Sequence, residues 1–175
     1  VVVGLLVAAA VLLVRGRARP ASVLAGGLTA VVVVYGVALV GVGLASRPQQ
    51  LGVGDVKCFD DWCAGLVSAR QDGAAGRWVV DVAVQNRGRG RAMRSNLARA
   101  YLELPGGGQV GPADGSGLRT MLQPGQRADV ALVFPTAAAG ARLVVVEGDA
   151  GVGPGTFEIG GEGSPFHARA GWPLR

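Results

Sequence analysis

The sequence predicts an all-β antiparallel sandwich of seven or eight strands, preceded by a transmembrane hairpin of two helices. Three observations carry this. The first forty-six residues are apolar except for one tight basic loop. After Ser46, short stretches rich in β-branched residues recur between Gly, Pro and Asp clusters, as strands joined by turns do. No amphipathic helical repeat of useful length follows, which argues against parallel sheets with crossover helices.

At the N-terminal end, Val1 to Val14 and Ala21 to Ser46 flank the loop Arg15-Gly-Arg-Ala-Arg-Pro20. The second segment carries no charge and is long enough to span a bilayer with some tilt. The first covers about 21 Å at the helical rise, so Arg15 and Arg17 snorkel, the bilayer thins, or further residues precede Val1. Ser22, Gly26 and Ala30 are spaced to let the two helices approach. Arg concentrates on the cytoplasmic side of membranes, so Arg15, Arg17 and Arg19 place everything after Ser46 outside. A signal peptide cleaved after Gly43-Leu-Ala45 would export the same portion, although its apolar region is longer than the roughly 7 to 15 residues such peptides use. The expected divisions are a hairpin over 1–46, a linker over 47–51, a sandwich over 52–160 and a C-terminal tail over 161–175.

In the sandwich the clearest strand is Arg77-Trp-Val-Val-Asp-Val-Ala-Val84, with Trp78, Val80, Val82 and Val84 on one face and Asp81 and Gln85 on the other. The other expected strands are Ala64 to Ala69, Arg99 to Leu104, Leu118 to Leu122, Ala128 to Phe134, Arg142 to Val146 and Thr156 to Ile159. Pro105-Gly-Gly-Gly108 ends one of them. Gln123-Pro-Gly-Gln126 has Pro and Gly where a type II turn requires them. The tail from Gly160, with Trp172, runs over the surface or pins a sandwich edge.

Arg outnumbers Lys sixteen to one and Gly fills 30 positions, a coding bias that weakens any motif built on Gly or Arg alone. The formal charge of +5 falls to +2 once Arg15, Arg17 and Arg19 are assigned to topology. The exported part is therefore nearly neutral, and with its location this argues against nucleic acid as a partner.

Cys58 and Cys63 enclose Phe59-Asp-Asp-Trp62. Outside the cytoplasm an even pair oxidises, and two short extended arms around a turn bring the Cα atoms to the roughly 4.4 to 6.8 Å that a disulfide needs. A redox pair would prefer Cys-x-x-Cys at a helix start, and zinc would need more than two Cys and the distant His167. Asp60 and Asp61 read as an exposed turn, with paired acid-base carboxylates or calcium ligands as the alternatives. Framed by Phe59 and Trp62, they also make a candidate recognition loop. Arg87-Gly-Arg-Gly-Arg91, followed by Arg94 and Arg99, puts Arg87, Arg89 and Arg91 on one face if the strand continues. That row is either a charged edge strand protected from edge-to-edge pairing or a contact for anionic lipid or polymer. No Gly-x-Ser-x-Gly elbow occurs, and Gly106-Gly-Gly108 and Gly151-Val-Gly-Pro-Gly155 lack the Gly-Lys-Ser/Thr ending of a phosphate loop. No catalytic residue, cofactor or metal ligand is assigned.

The order Gly54-Asp-Val-Lys-Cys-Phe-Asp-Asp-Trp-Cys63, Trp78-Val-Val-Asp-Val-Ala-Val-Gln-Asn86, Leu122-Gln-Pro-Gly125 and Leu132-Val-Phe-Pro135 resembles the telokin-like immunoglobulin-fold domains of bacterial envelope proteins. The resemblance covers roughly Gly52 to Gly148. It implies an immunoglobulin-like sandwich and a membrane or lipoprotein anchor, and carries over no catalytic residue, most such domains having no known function. The expectation is a non-catalytic binding or assembly module, anchored in a bacterial cytoplasmic membrane with its C-terminal domain outside. Its expected partner is an envelope protein or an anionic envelope polymer or lipid. A thiol-disulfide or other envelope enzyme, and a structural subunit of an integral membrane complex, are the alternatives.

Overall fold

The structure, a computed structural model, describes residues 18–148 and 168–175. Two compact units are distinguished, one holding the apolar helix and the other all the described strands, and each is taken by itself.

The helix, α1 (Ala18–Ala45), has 28 residues. At 1.5 Å per residue it measures about 42 Å, more than the roughly 30 Å of a bilayer's hydrocarbon core. It begins earlier than expected, taking Arg19 and Pro20 from the basic loop into its first turn. Proline is tolerated there because first-turn amides have no acceptor within the helix. Ser22–Ala45 is long and apolar enough to cross a membrane, with a mean hydropathy of 2.4, a property that a signal sequence shares. Val31, Val32, Val33, Val34 and Val37 are all exposed. At the C-terminal end the Ser46 amide and hydroxyl both donate to the Gly43 carbonyl, at 3.2 and 2.6 Å. The expected helix over Val1 to Val14, Arg15, Arg17, the expected strand Thr156 to Ile159 and His167 lie outside the described residues. Those residues therefore hold one helix and not the two-helix hairpin.

The strands form two four-stranded antiparallel sheets. The first runs in the order β1 (Val56–Phe59), β2 (Trp62–Asp72), β3 (Arg77–Asn86) and β6 (Arg127–Phe134). The second runs β5 (Gln109–Val110), β4 (Ala98–Glu103), β7 (Arg142–Glu147) and β8 (Trp172–Pro173). Alternation builds one core between them: Trp78, Val80, Val82 and Val84 of β3 meet Leu102 of β4 and Leu143 and Val145 of β7 in a single buried cluster. This is the arrangement of a β-sandwich.

Three departures from the sequence expectation have physical causes, and one open alternative is resolved. Leu118 to Leu122 is not a strand: Ser116–Arg119 is a 3₁₀ turn, and Leu122 keeps one isolated bridge to Met93. Asp114 starts that turn, its carboxylate accepting the Ser116 amide at 2.8 Å and the Ser116 hydroxyl at 3.0 Å. β2 runs three residues past Ala69 because a bulge between Leu66 and Ser68 absorbs an extra residue and lets the pairing resume. Of the two courses expected for the tail, its described residues follow the second: β8 pairs with β7 and pins a sandwich edge. Trp172 is fully buried, its indole N–H donates to the Asp55 carbonyl at 3.3 Å, and a Cβ on Gly171 would lie 2.6 Å from the Leu143 carbonyl. Residues 47–51 are not all a free linker, since the Gly171 amide donates to Gln49 at 3.0 Å and the Leu51 amide to Gly171 at 2.9 Å.

Candidate functional site

β1 and β2 are joined by the two-residue turn Asp60-Asp61, with Phe59 opposite Trp62 and Cys58 opposite Cys63. Asp60 has a φ of 53°, a conformation that Asp tolerates better than most residues. In such a hairpin the pair beside the turn exchanges hydrogen bonds, and the next pair is the non-hydrogen-bonded one, in which the strands approach most closely. Cys58 and Cys63 hold that second position. They form the disulfide with a Cα separation of 3.9 Å, closer than the expected range. Cys58 is exposed and Cys63 is buried.

Phe59 and Trp62 do not frame the tip as surface contacts. Trp62 is fully buried and Phe59 half-buried in the core, their ring centroids 5.7 Å apart. Lys57 stands over the Phe59 ring, its Nζ 4.8 Å from the centroid and 3.1 Å from the Val145 carbonyl that accepts its hydrogen bond. The aromatic pair therefore anchors the hairpin, and Asp60 and Asp61 alone remain exposed at its end.

The arginine cluster is not an edge strand. β3 lies between β2 and β6 and ends at Asn86, so Arg87, Arg89 and Arg91 occupy an irregular loop rather than a row on one face. Asn86 causes the break. Fully buried, its side-chain NH₂ donates to the carbonyls of Arg91 at 3.0 Å and Leu122 at 3.1 Å, while its side-chain oxygen accepts the Gly88 amide at 2.9 Å. Its backbone amide donates to Gln126 at 3.0 Å, and its carbonyl accepts the Gly125 amide at 2.8 Å. The Gln123–Gln126 turn that receives these bonds is the expected one, with Gly125 at a φ of 76° and the Gln126 amide donating to Gln123 at 2.9 Å.

This loop lies against the hairpin tip. The Arg87 amide donates to the Asp61 carbonyl at 2.7 Å. Gly88 is buried beneath the Asp61 carboxylate, and a Cβ there would lie 2.8 Å from Asp61 Oδ2 and 3.0 Å from Asn86 Oδ1. Two segments far apart in sequence thus enclose a half-open cavity of about 330 Å³, lined by Asp61, Gly88, Gly90, Arg91 and Met93. Arg87, Arg89, Arg91 and Arg94 are exposed. The Arg87 guanidinium reaches the Gln85 side-chain oxygen at 3.4 Å, and Arg89, Arg91 and Arg94 make no side-chain hydrogen bond or ion pair with another described residue. Four other arginines of the sandwich are matched with acidic groups: Arg70 with Asp81, Arg77 with Asp72, Arg127 with Asp129 and Arg142 with Glu103.

Asn86, Gly88, Gly90 and Met93 are the parts of this end that were not singled out as site residues. The signal that could have found them is Asn86 at the end of the alternating run, followed two residues on by Gly88. Among the described residues no group of His, Cys, Asp or Glu is placed to hold a metal ion.

No protein-family model matches the chain, and no curated protein does. Among solved structures the chain is similar to the yjhA protein from Bacillus subtilis, at 13% sequence identity and a TM-score of 0.42, over 53% of this chain and 78% of that one. That likeness is too slight to bear on function.

Proposed function

We propose that this protein is a membrane-anchored, extracytoplasmic module with an immunoglobulin-like sandwich of the telokin-like kind. It binds an anionic component of the bacterial cell envelope without chemically altering it. The observation that carries this reading is the convergence of the disulfide-stapled tip and the loop with four exposed arginines on one cavity. An oxidised Cys58–Cys63 pair supports an oxidising compartment, and α1 supports a membrane anchor. The cysteines sit on paired strands, one of them buried, which favours a staple over a thiol exchanger. Arg87, Arg89, Arg91 and Arg94 outnumber Asp60 and Asp61, so the end carries an excess of positive charge.

The test is equilibrium binding of a poly(glycerol phosphate) chain to the full-length protein in maltoside micelles. With each exposed arginine contributing about 0.7 kcal/mol, replacing Arg87, Arg89, Arg91 and Arg94 by Ala lowers affinity about a hundredfold. Raising the salt from low to physiological weakens the wild-type complex for the same reason. Equal affinity of the two proteins for the polymer would remove the arginine loop as the contact.

A further inference from the structure

Arg91 and Asp61 line the same cavity, yet their charged groups make no ion pair with each other or with any other described residue. On a surface where four other arginines have acidic partners, the cavity thus offers one cationic and one anionic group not paired with each other or with another described residue. A purely anionic ligand can meet Arg91 but leaves the Asp61 carboxylate unanswered, so it binds more weakly than one that also offers a cation. A purely cationic one would meet the reverse. A ligand carrying both charges can answer both lining groups at once. We infer that the cavity takes a zwitterion: a phosphate ester that also bears a primary ammonium group, with the phosphate on Arg91 and the ammonium on Asp61.

Three further features fit that class. The volume of about 330 Å³ stands at the low end of small-molecule sites, the size of a headgroup rather than of a folded partner. The Gly90 and Arg91 amides, among the lining residues, donate to no other described residue, so they add unclaimed donors of the kind a phosphate uses. Met93 is half-buried in the lining and gives the ester's carbon chain an apolar surface. The position of Asp61 is fixed rather than incidental: the disulfide holds its hairpin, the Arg87 amide holds its carbonyl at 2.7 Å, and Gly88 leaves no room for a side chain beneath its carboxylate. The inference rests on the binding reading above and specifies the chemistry of that site.

The experiment titrates the full-length protein in maltoside micelles with O-phosphoethanolamine, inorganic phosphate and ethanolamine, reading backbone amide shifts by NMR. At least a tenfold preference for O-phosphoethanolamine over either half-ligand is expected, with the largest shifts at Gly88, Gly90 and Arg91. Asp61→Asn, which keeps the size of the side chain, should abolish the preference while phosphate binding persists. Arg91→Ala should lose both. Equal affinities of the wild-type protein for O-phosphoethanolamine and phosphate would overturn the inference, as would a preference that survives Asp61→Asn. If the zwitterion preference is missing while the polymer still binds through the four arginines, only this inference fails; loss of polymer binding as well removes the wider reading. Vesicles bearing phosphatidylethanolamine, compared with the soluble probe, separate a lipid headgroup from a free or polymer-borne zwitterion.

Discussion

Asn86 places the arginine loop, and it does so with both ends of its side chain. Two carbonyls and one amide from separate segments converge on it at full burial. Asn86→Ala leaves those groups without partners and should lower stability by about 2–3 kcal/mol, read as a fall in urea midpoint at unchanged m-value. Ser95 is the opposite case: its hydroxyl is buried and makes no hydrogen bond with another described residue. Ser95→Ala is expected to raise stability by about 1 kcal/mol, and a loss of that size would show that the hydroxyl has a partner. Asp114 adds a pH effect. Hydrogen bonds from the Ser116 amide and hydroxyl hold its carboxyl below the ordinary value of 3.8. A depressed carboxyl pKa means stability that is present above the unfolded value and lost as pH falls through the folded one. Acid unfolding below about pH 4 should therefore be less steep in Asp114→Asn, which keeps an acceptor but cannot titrate. At this scale the sequence announced Gly125, because a Pro-Gly turn demands it. It did not announce the role of Asn86, because its acceptors at Arg91 and Leu122 are brought to it by tertiary structure.

Among the elements, the stapled hairpin and the C-terminal strand matter most to the site and the core. The disulfide closes a loop of only a few residues, so the chain-entropy model gives it about 2 kcal/mol, less than a long-range bridge would supply. Cys58→Ala with Cys63→Ala is expected to lower stability by that amount and to speed hydrogen exchange at the Arg87 amide, which bonds to the tip. Unchanged exchange would mean that the tip stays seated without its staple. β8 contributes through burial more than through its two residues of pairing. Trp172→Ala, emptying a fully buried site, should cost about 3–5 kcal/mol in urea unfolding. The long alternating strands were legible because their period of two survives in the sequence, as β3 and β6 show. β1, β5 and β8 were not, because strands of two to four residues carry too little pattern and are defined by their partners. The sequence leaves the break at Asn86 open for a related reason: the Arg-Gly alternation that follows imitates a strand, and side-chain hydrogen bonding ends it.

For the whole molecule, one apolar helix and one two-sheet unit were both readable from the sequence: the helix from its uninterrupted apolar length, the sheets from short alternating segments between turns. The joining of the Cys58–Cys63 loop to the Arg87–Arg94 segment was not, since it depends on β1 and β2 turning back where β3 ends. In sequence the two segments are separate candidate contacts, and the fold brings them together. The most direct measurement of that claim is hydroxyl-radical footprinting of the full-length protein with and without bound poly(glycerol phosphate). Protection confined to Asp60, Asp61 and the 87–94 loop is the expected result. Protection elsewhere on the sandwich, with these residues unchanged, would contradict it.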